Sequence, residues 1–425
     1  MSAEQNLSAS LRQVTVIEIG DQSGDYCAMM LAGLGAKVIK IEPLEGAPSR
    51  KLGPFATVDR DPESSLFFWR YGLNKKSLAL DLDHQESGAI LTRLAAHADI
   101  VLLSGQYLAI RRQLELWRGI AADRPRLILC TITPFGLDGP YRDFTATDLT
   151  HLALGGIMAM CGYDAGKDGH YDTPPIAPAM WHSYHIAGEY ASIAIMAALH
   201  FRDLTGEGQS IDLSIHEAVN TCTELSMPIY IHNGEVVRRQ TARHAFVNPS
   251  PLRLPTSSDG VRMLAAVSPF PREIKSFVRL ADECGIEHQL TSAEFAQTER
   301  QNPAAAADYR AELVEWIVSS RPAQQSFLRA QHHGLPWAPI RRPEENLEDP
   351  HFISRHTFAS IDHPELAREL SYPGTVAGDG AEPHMRYTRR APRLGGHTHQ
   401  ILLEAGFTPA EIEDLSARKI ILDRS

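Results

Sequence analysis

What most constrains this chain is an alternation of short β-rich runs and helix-forming runs that starts near residue 14 and recurs to residue 133. Val14–Ile19 reads as a strand, Tyr26–Leu34 as a helix and Lys37–Ile41 as a second strand after Gly35. Ser77–Leu82, Glu86–His97, Asp99–Leu103, a basic helix near Ile110–Trp117 and Leu127–Thr133 continue the pattern. Parallel strands need crossover helices, and strands covered on both faces read as apolar runs, so this alternation predicts an α/β fold with a parallel sheet.

The chain has 425 residues, more than one hydrophobic core usually serves, so a second domain is expected. Asp148–Met160 and His185–Arg202 have helix-forming composition. In the latter, Ile186, Tyr190, Ile193, Ala197 and Phe201 recur at three- and four-residue steps, which predicts that this face is buried. Thr205–Gln209 breaks the helix, Ser210–Ile215 reads as a strand, and Met227–Pro255 is Pro- and Arg-rich with weak periodicity. A strand at Val261–Val267 and helices at Glu273–Cys284, Tyr309–Ser319 and Ala323–Gln331 make a smaller α+β domain. The expected division is a large domain over 1–208, a linker over 209–228, a small domain over 229–333 and a returning segment over 334–425.

A net charge of −11 speaks against nucleic acid or an anionic membrane as partner, since both demand clustered positive charge. Five scattered cysteines without CxxC spacing, a polar start and the lack of an apolar run of ~18 residues predict a cytoplasmic protein that does not span a membrane. Nineteen histidines include no HExxH or His/Cys cluster at ligand spacing, so no metal is expected. GxSxG is absent. Gly20–Gly24 is spaced GxxxG and not GxGxxG, and without those glycines Glu42 at the end of the second strand does not make a dinucleotide site. His182–Ser183–Tyr184–His185 holds groups capable of acid–base work, and reads equally as a capped helix start with Ser183 as cap.

Ordered blocks take the reading further. Leu31–Pro43, Asn74–Leu82, Ala98–Val101, Phe135–Tyr141, Asp148–Leu149 with Gly155–Met158, Ala197–Gln209, Gly334–Ile340, Asp349–Pro350 and Ala391–Thr398 together resemble the family III CoA-transferases, the group of formyl-CoA transferase, carnitine CoA-transferase and the acyl-CoA racemases. The resemblance implies a large Rossmann-like domain built from both chain ends, a small domain between them, and two subunits interlocked as rings. It also implies coenzyme A thioesters as substrates with no permanently bound cofactor, in a reaction where a carboxylate attacks the thioester and becomes a covalent intermediate.

In the family the catalytic Asp lies four residues before the Gly that opens the helix and nine after a Pro-Pro pair. Counting back from Gly188 and forward from Pro175 both reach Tyr184. A phenol is a poor substitute, being neutral near pH 7. The Asn-Phe pair that lines the adenine pocket in relatives is Ser104–Gly105, a commonly basic position is Asp83, and the racemase His position is Thr147. Arg112, Arg50 and Gln22 are the candidates for a residual CoA site. The resemblance therefore implies a subunit lacking the nucleophile, paired with a catalytic paralogue that moves CoA between a donor such as succinyl-CoA and an acid such as benzylsuccinate. A self-sufficient homodimer using Asp148, Asp172 or Glu189, and a scaffold or regulatory subunit, are the alternatives.

Overall fold

β1 (Thr15–Gly20) turns at once into α1 (Gln22–Gly33), and β2 (Lys37–Glu42) returns parallel to β1 with Ile17 beside Ile39. The turn is made by Asp21, whose carboxylate accepts the Ser23 amide at 3.0 Å and the Ser23 hydroxyl at 2.6 Å, satisfying donors that a helix start leaves open. This cap starts the helix four residues before the predicted Tyr26. The computed structural model describes residues 10–223, 225–248, 253–268, 270–374 and 384–424.

The alternation continues through α2 (Leu66–Tyr71), β3 (Lys76–Leu80), α3 (Ser87–Ala95), β4 (Ile100–Ser104), α4 (Tyr107–Ala122), β5 (Ile128–Thr133), α5 (Asp148–Leu154), α6 (His182–Thr205) and β6 (Ser210–Ser214). In the seven-stranded sheet a short antiparallel strand, Ile421–Leu422, is followed by β3, β2, β1, β4, β5 and β6, which are mutually parallel. From β1 the chain winds outward through β2 to β3. From β4 it winds the other way to β6, so the direction reverses between β1 and β4. In open α/β sheets the crevice outside the carboxyl ends of two such strands is where ligands bind.

Both sheet faces are covered. Ile17, Ile39 and Leu78 pack with α3, α4 and Trp117 on one face, and Val16, Val38, Leu102 and Ile132 pack with α1 and α6 on the other. Among the latter lies a buried ionic quartet. Lys40 Nζ sits 2.8 Å from Glu18 and 2.6 Å from Asp25, and Lys75 Nζ sits 2.8 Å from Glu18. Two ammonium and two carboxylate groups balance, which is the condition under which buried charges persist.

Two compact units divide the chain, Met1–Asn248 with Pro350–Ser425, and Pro249–Asp349. The first therefore takes in both ends of the sequence, including residues 209–228 read above as linker: β6 pairs with β5 in the main sheet, and Ile215–Asn220 is helical. Residues 229–248, assigned above to the small domain, also fall in this unit, as the end of the helix Ser226–Asn233 and the hairpin Arg238–Gln240 with Arg243–Phe246. The second unit pairs Met263–Leu264 with Ala338–Pro339 beneath helices Pro271–Glu283, Pro303–Ser319 and Ala323–His332, around fully buried Phe277, Ile317 and Trp337.

The helix predicted over Asp148–Met160 stops at Leu154, because Gly155 and Gly156 interrupt it. A side chain at Gly155 would reach 2.5 Å from Val219. The face of α6 predicted to be buried is the exposed one: Tyr190 is 43% and Ile193 64% accessible, whereas Ala187, Ala191 and Ile195 are sealed. Small residues explain the reversal. A Cβ on Gly188 would stand 2.7 Å from the Tyr26 ring and 3.2 Å from the Cys27 backbone nitrogen, so α6 lies against α1 through its Gly and Ala stripe. Among the described residues no helix is long and apolar enough to cross a membrane, and no group of His, Cys, Asp and Glu is placed to hold a metal.

Candidate active site at the switch point

At the carboxyl ends of β1 and β4 the backbones touch. Gly20 has φ +141°, and a Cβ there would fall 2.1 Å from the Ser104 carbonyl oxygen; one on Gly24 would fall 2.6 Å from Ser104 Oγ. Only glycine fits at either position. Ser104 Oγ donates to the Asp21 carbonyl at 3.1 Å, so the Ser104–Gly105 pair is the surface on which the β1–α1 turn rests.

From β4 a chain of hydrogen bonds leads to the start of α6. Gln106 grips residue 146 by both amide atoms, donating to its carbonyl at 2.7 Å and accepting its N–H at 3.2 Å. That fixes the approach to α5, which Thr147 caps through the Thr150 amide. Asp148, the next residue, directs its carboxylate at the first turn of α6. Oδ1 accepts the Ser183 amide at 2.9 Å and the Ser183 hydroxyl at 2.6 Å, and Oδ2 accepts the Trp181 amide at 3.1 Å. A negative charge at a helix N-terminus is stabilised by the open amides and the helix dipole. The cap of α6 thus comes from Asp148 and not from Ser183, and Trp181 precedes the helix in a left-handed conformation at φ +70°.

Tyr184 follows, buried and stacked on Trp181 with ring centroids 5.8 Å apart. Burial pushes its phenol up to about 12, Asp21 and Asp148 add to this, and the Gln22 side chain and the Asp148 backbone pull weakly the other way. The structure therefore brings Gln22, Asp148 and Tyr184 together at the switch point.

Other sequence candidates lie elsewhere or are engaged. Glu189 is exposed on α6 and accepts the Tyr26 hydroxyl at 2.8 Å. Asp172 sits on an exposed loop. Arg112 is exposed and pairs with Asp83 at 2.8 Å, so the acid read as repelling phosphate neutralises the cation read as attracting it. Arg50 is the clearest correction. Its guanidinium is sealed in the core, forks onto Glu42 at 2.6 and 2.9 Å, donates to the Pro392 carbonyl and stacks 3.8 Å over Phe68, which leaves nothing for a soluble ligand. Glu42 is likewise buried, with Ser77 donating to it at 2.6 Å.

Sequence reasoning missed Gln106, Trp181 and the aromatic wall beside them. Tyr71 Oη stands 2.6 Å from His185 Nε2, and Tyr26 lies 4.4 Å from the same imidazole. Burial, with His182 and Arg70 nearby, lowers His185 to about 4, and burial raises Tyr71 to about 12, so near neutral pH this pair is an uncharged hydrogen bond. Strand order would have pointed to Gln106, two residues past the end of β4.

A doubly wound sheet with a site at its switch point and a separate α+β unit defines the class. The chain belongs to CoA-transferase family III, whose family model matches residues 11–398. It is 29% identical over 97% of its length to 98% of a succinyl-CoA–D-citramalate CoA-transferase of Chloroflexus aurantiacus. It is 27% identical over 94% of its length to 95% of the BbsE subunit of succinyl-CoA:(R)-benzylsuccinate CoA-transferase of Thauera aromatica. Among solved structures, a CAIB/BAIF family protein from Brucella suis superposes with a TM-score of 0.75 at 25% identity, covering 92% of this chain and 98% of that one.

Proposed function

We propose that this chain is the non-catalytic subunit of a heteromeric, cytoplasmic family III CoA-transferase, interlocked with a paralogous chain that supplies the nucleophilic Asp. The observation that carries the reading is the phenol of Tyr184, at the position the resemblance assigns to the nucleophile and held up to about 12. A phenol raised above its ordinary value of ~10 is neutral at pH 7. The transfer needs an anion that attacks the thioester carbon, forms a C–O bond and expels the CoA thiolate, and a neutral phenol does not serve.

Asp148, the carboxylate that caps the helix carrying Tyr184, is a weak replacement. Three hydrogen bonds from the start of α6 occupy its two oxygens, and drawing it away to attack a thioester would leave those donors unpaired. We take the substrates to be succinyl-CoA as donor and a dicarboxylic acid of the benzylsuccinate type as acceptor; the names of the two relatives reported above support that class.

Mass spectrometry of the complex purified from its native host tests the reading. A stoichiometric second family III chain is the expected result. A lone homodimer with full turnover would overturn it.

A further inference from the structure

The returning segment Arg386–His397 is fastened to the large unit along its length. Asn74, itself left-handed at φ +63°, donates to the Arg386 carbonyl at 2.7 Å and accepts the amides of Thr388 and Arg389 at 3.0 Å each. Arg50 holds the Pro392 carbonyl, and Ser77 receives the Gly395 amide at 3.0 Å. The backbone that carries these side chains is thus already ordered, which lowers that part of the ordering cost of binding.

A cleft of about 500 Å³ opens beside this segment, walled by Lys75, Arg389, Arg390, Arg393 and Arg424, with Asp362 the one carboxylate in its lining among the described residues. Lys75 belongs to the buried quartet, Arg390 pairs with Glu365, and Arg424 lies 3.8 Å from Glu63. Arg389 and Arg393 are exposed, and neither has a carboxylate partner among the described residues. Acidic residues cluster instead in an adjoining cavity of about 380 Å³, which shares Arg390, Arg393 and Arg424 and adds Asp61, Glu63 and Glu365. Five cations on one wall are notable in a chain of net charge −11. Guanidinium groups without a carboxylate partner offer planar, doubly donating forks that match phosphate oxygens, and Arg389 spends only one donor, on the Asn74 carbonyl at 3.3 Å.

We propose that this cleft binds a phosphate-bearing anion through Arg389 and Arg393. Among the described residues no Phe, Tyr or Trp lines it and His397 is its one ring, so the recognition rests on the guanidinium groups and phosphate oxygens. It shares no residue with Gln22, Asp148 and Tyr184, and the proposal is independent of which chain holds the nucleophile.

Calorimetric titration of pyrophosphate into the full chain, at ~50 mM salt where such contacts are least screened, tests it. Saturable binding is expected, weakened at least tenfold by Arg389→Gln and by Arg393→Gln and unchanged by Arg111→Gln, a surface replacement elsewhere. Both arginines are exposed; among the described residues the Arg393 side chain makes no hydrogen bond and that of Arg389 makes one, to the Asn74 carbonyl at 3.3 Å, so melting curves of the variants should stay close to the parent. Coenzyme A as competitor then identifies the source: displacement of pyrophosphate means the cleft takes the phosphates of coenzyme A, and its absence means a free phosphate compound. No saturable pyrophosphate binding, or equal binding by the Arg389→Gln/Arg393→Gln double variant, would overturn the proposal.

Discussion

Asp148 and Ser183, 35 positions apart in sequence, are joined twice through one oxygen: Oδ1 of the aspartate accepts both the amide and the hydroxyl of the serine. This double bond to a helix start makes Asp148 a structural acid. Asp148→Ala is expected to lower the stability of the fold by about 1–3 kcal/mol, through loss of the cap and the unpaired amides it leaves. Asp148→Asn should lose less, since an acceptor remains. Urea denaturation gives both values. Wild-type stability in the alanine variant would show that the cap carries no weight.

Tyr184→Phe removes the hydroxyl and keeps the stack on Trp181. In the intact complex we expect turnover within about threefold of the parent, a barrier change of roughly 0.65 kcal/mol. A loss of several hundredfold would assign the phenol a chemical role and contradict the reading of this chain.

Acid should weaken the fold through its buried imidazoles. Burial lowers His151 and His185 to about 4 from an ordinary 6.5, while the unfolded chain regains the ordinary value. The unfolded form thus binds protons first as pH falls. The contribution of these groups is complete above pH 6.5 and shrinks as the pH drops toward 4. Among the described residues neither nitrogen of His151 has a hydrogen-bond partner. His151→Phe should therefore keep the stability near pH 7 and flatten the decline of the urea midpoint between pH 6.5 and 4. An unchanged slope would exclude His151 as a contributor.

Gly188→Ala tests the close approach of α6 to α1. Alanine favours a helix by ~1 kcal/mol over glycine. Here its methyl would meet the Tyr26 ring and the Cys27 backbone, and overpacking of that kind costs about 1–3 kcal/mol. A net fall in melting temperature is expected, and a rise would mean that the two helices separate freely.

The outward face of α6 carries Tyr190, Ile193 and Leu204, the last 74% exposed, and the helix Ser226–Asn233 adds Tyr230 and Ile231. Apolar surface of this extent fits an assembly interface. Light scattering on the purified chain should report a dimer or larger species. Ile193→Asp with Leu204→Asp should shift it to monomer. A parent that is already a monodisperse monomer would rule out this interface.

Much of the architecture was legible because buried parallel strands are written as apolar runs: Lys37–Ile41 and Leu127–Thr133 lie within one residue of β2 and β5 at each end. The misread face of α6 has a physical cause. Periodicity marks where large apolar residues recur, and here the true core contact uses small ones, Ala187, Gly188 and Ala191, while the large ones face outward. Arg50 and Asp148 were opaque for another reason. Their roles depend on partners at Glu42, Pro392, Trp181 and Ser183, which only the folded backbone brings near.

The pairing of Ile421–Leu422 with Leu80 and Ala79 fixes an order of events during synthesis. β3 leaves the ribosome early, yet its outer edge stays open until everything through residue 422 has been translated, including the whole of the intervening unit Pro249–Asp349. Until then an unpaired parallel edge faces solvent, where neighbouring nascent chains could add to it. Slowing translation across the intervening unit should accordingly lower the soluble yield without any change in the encoded protein.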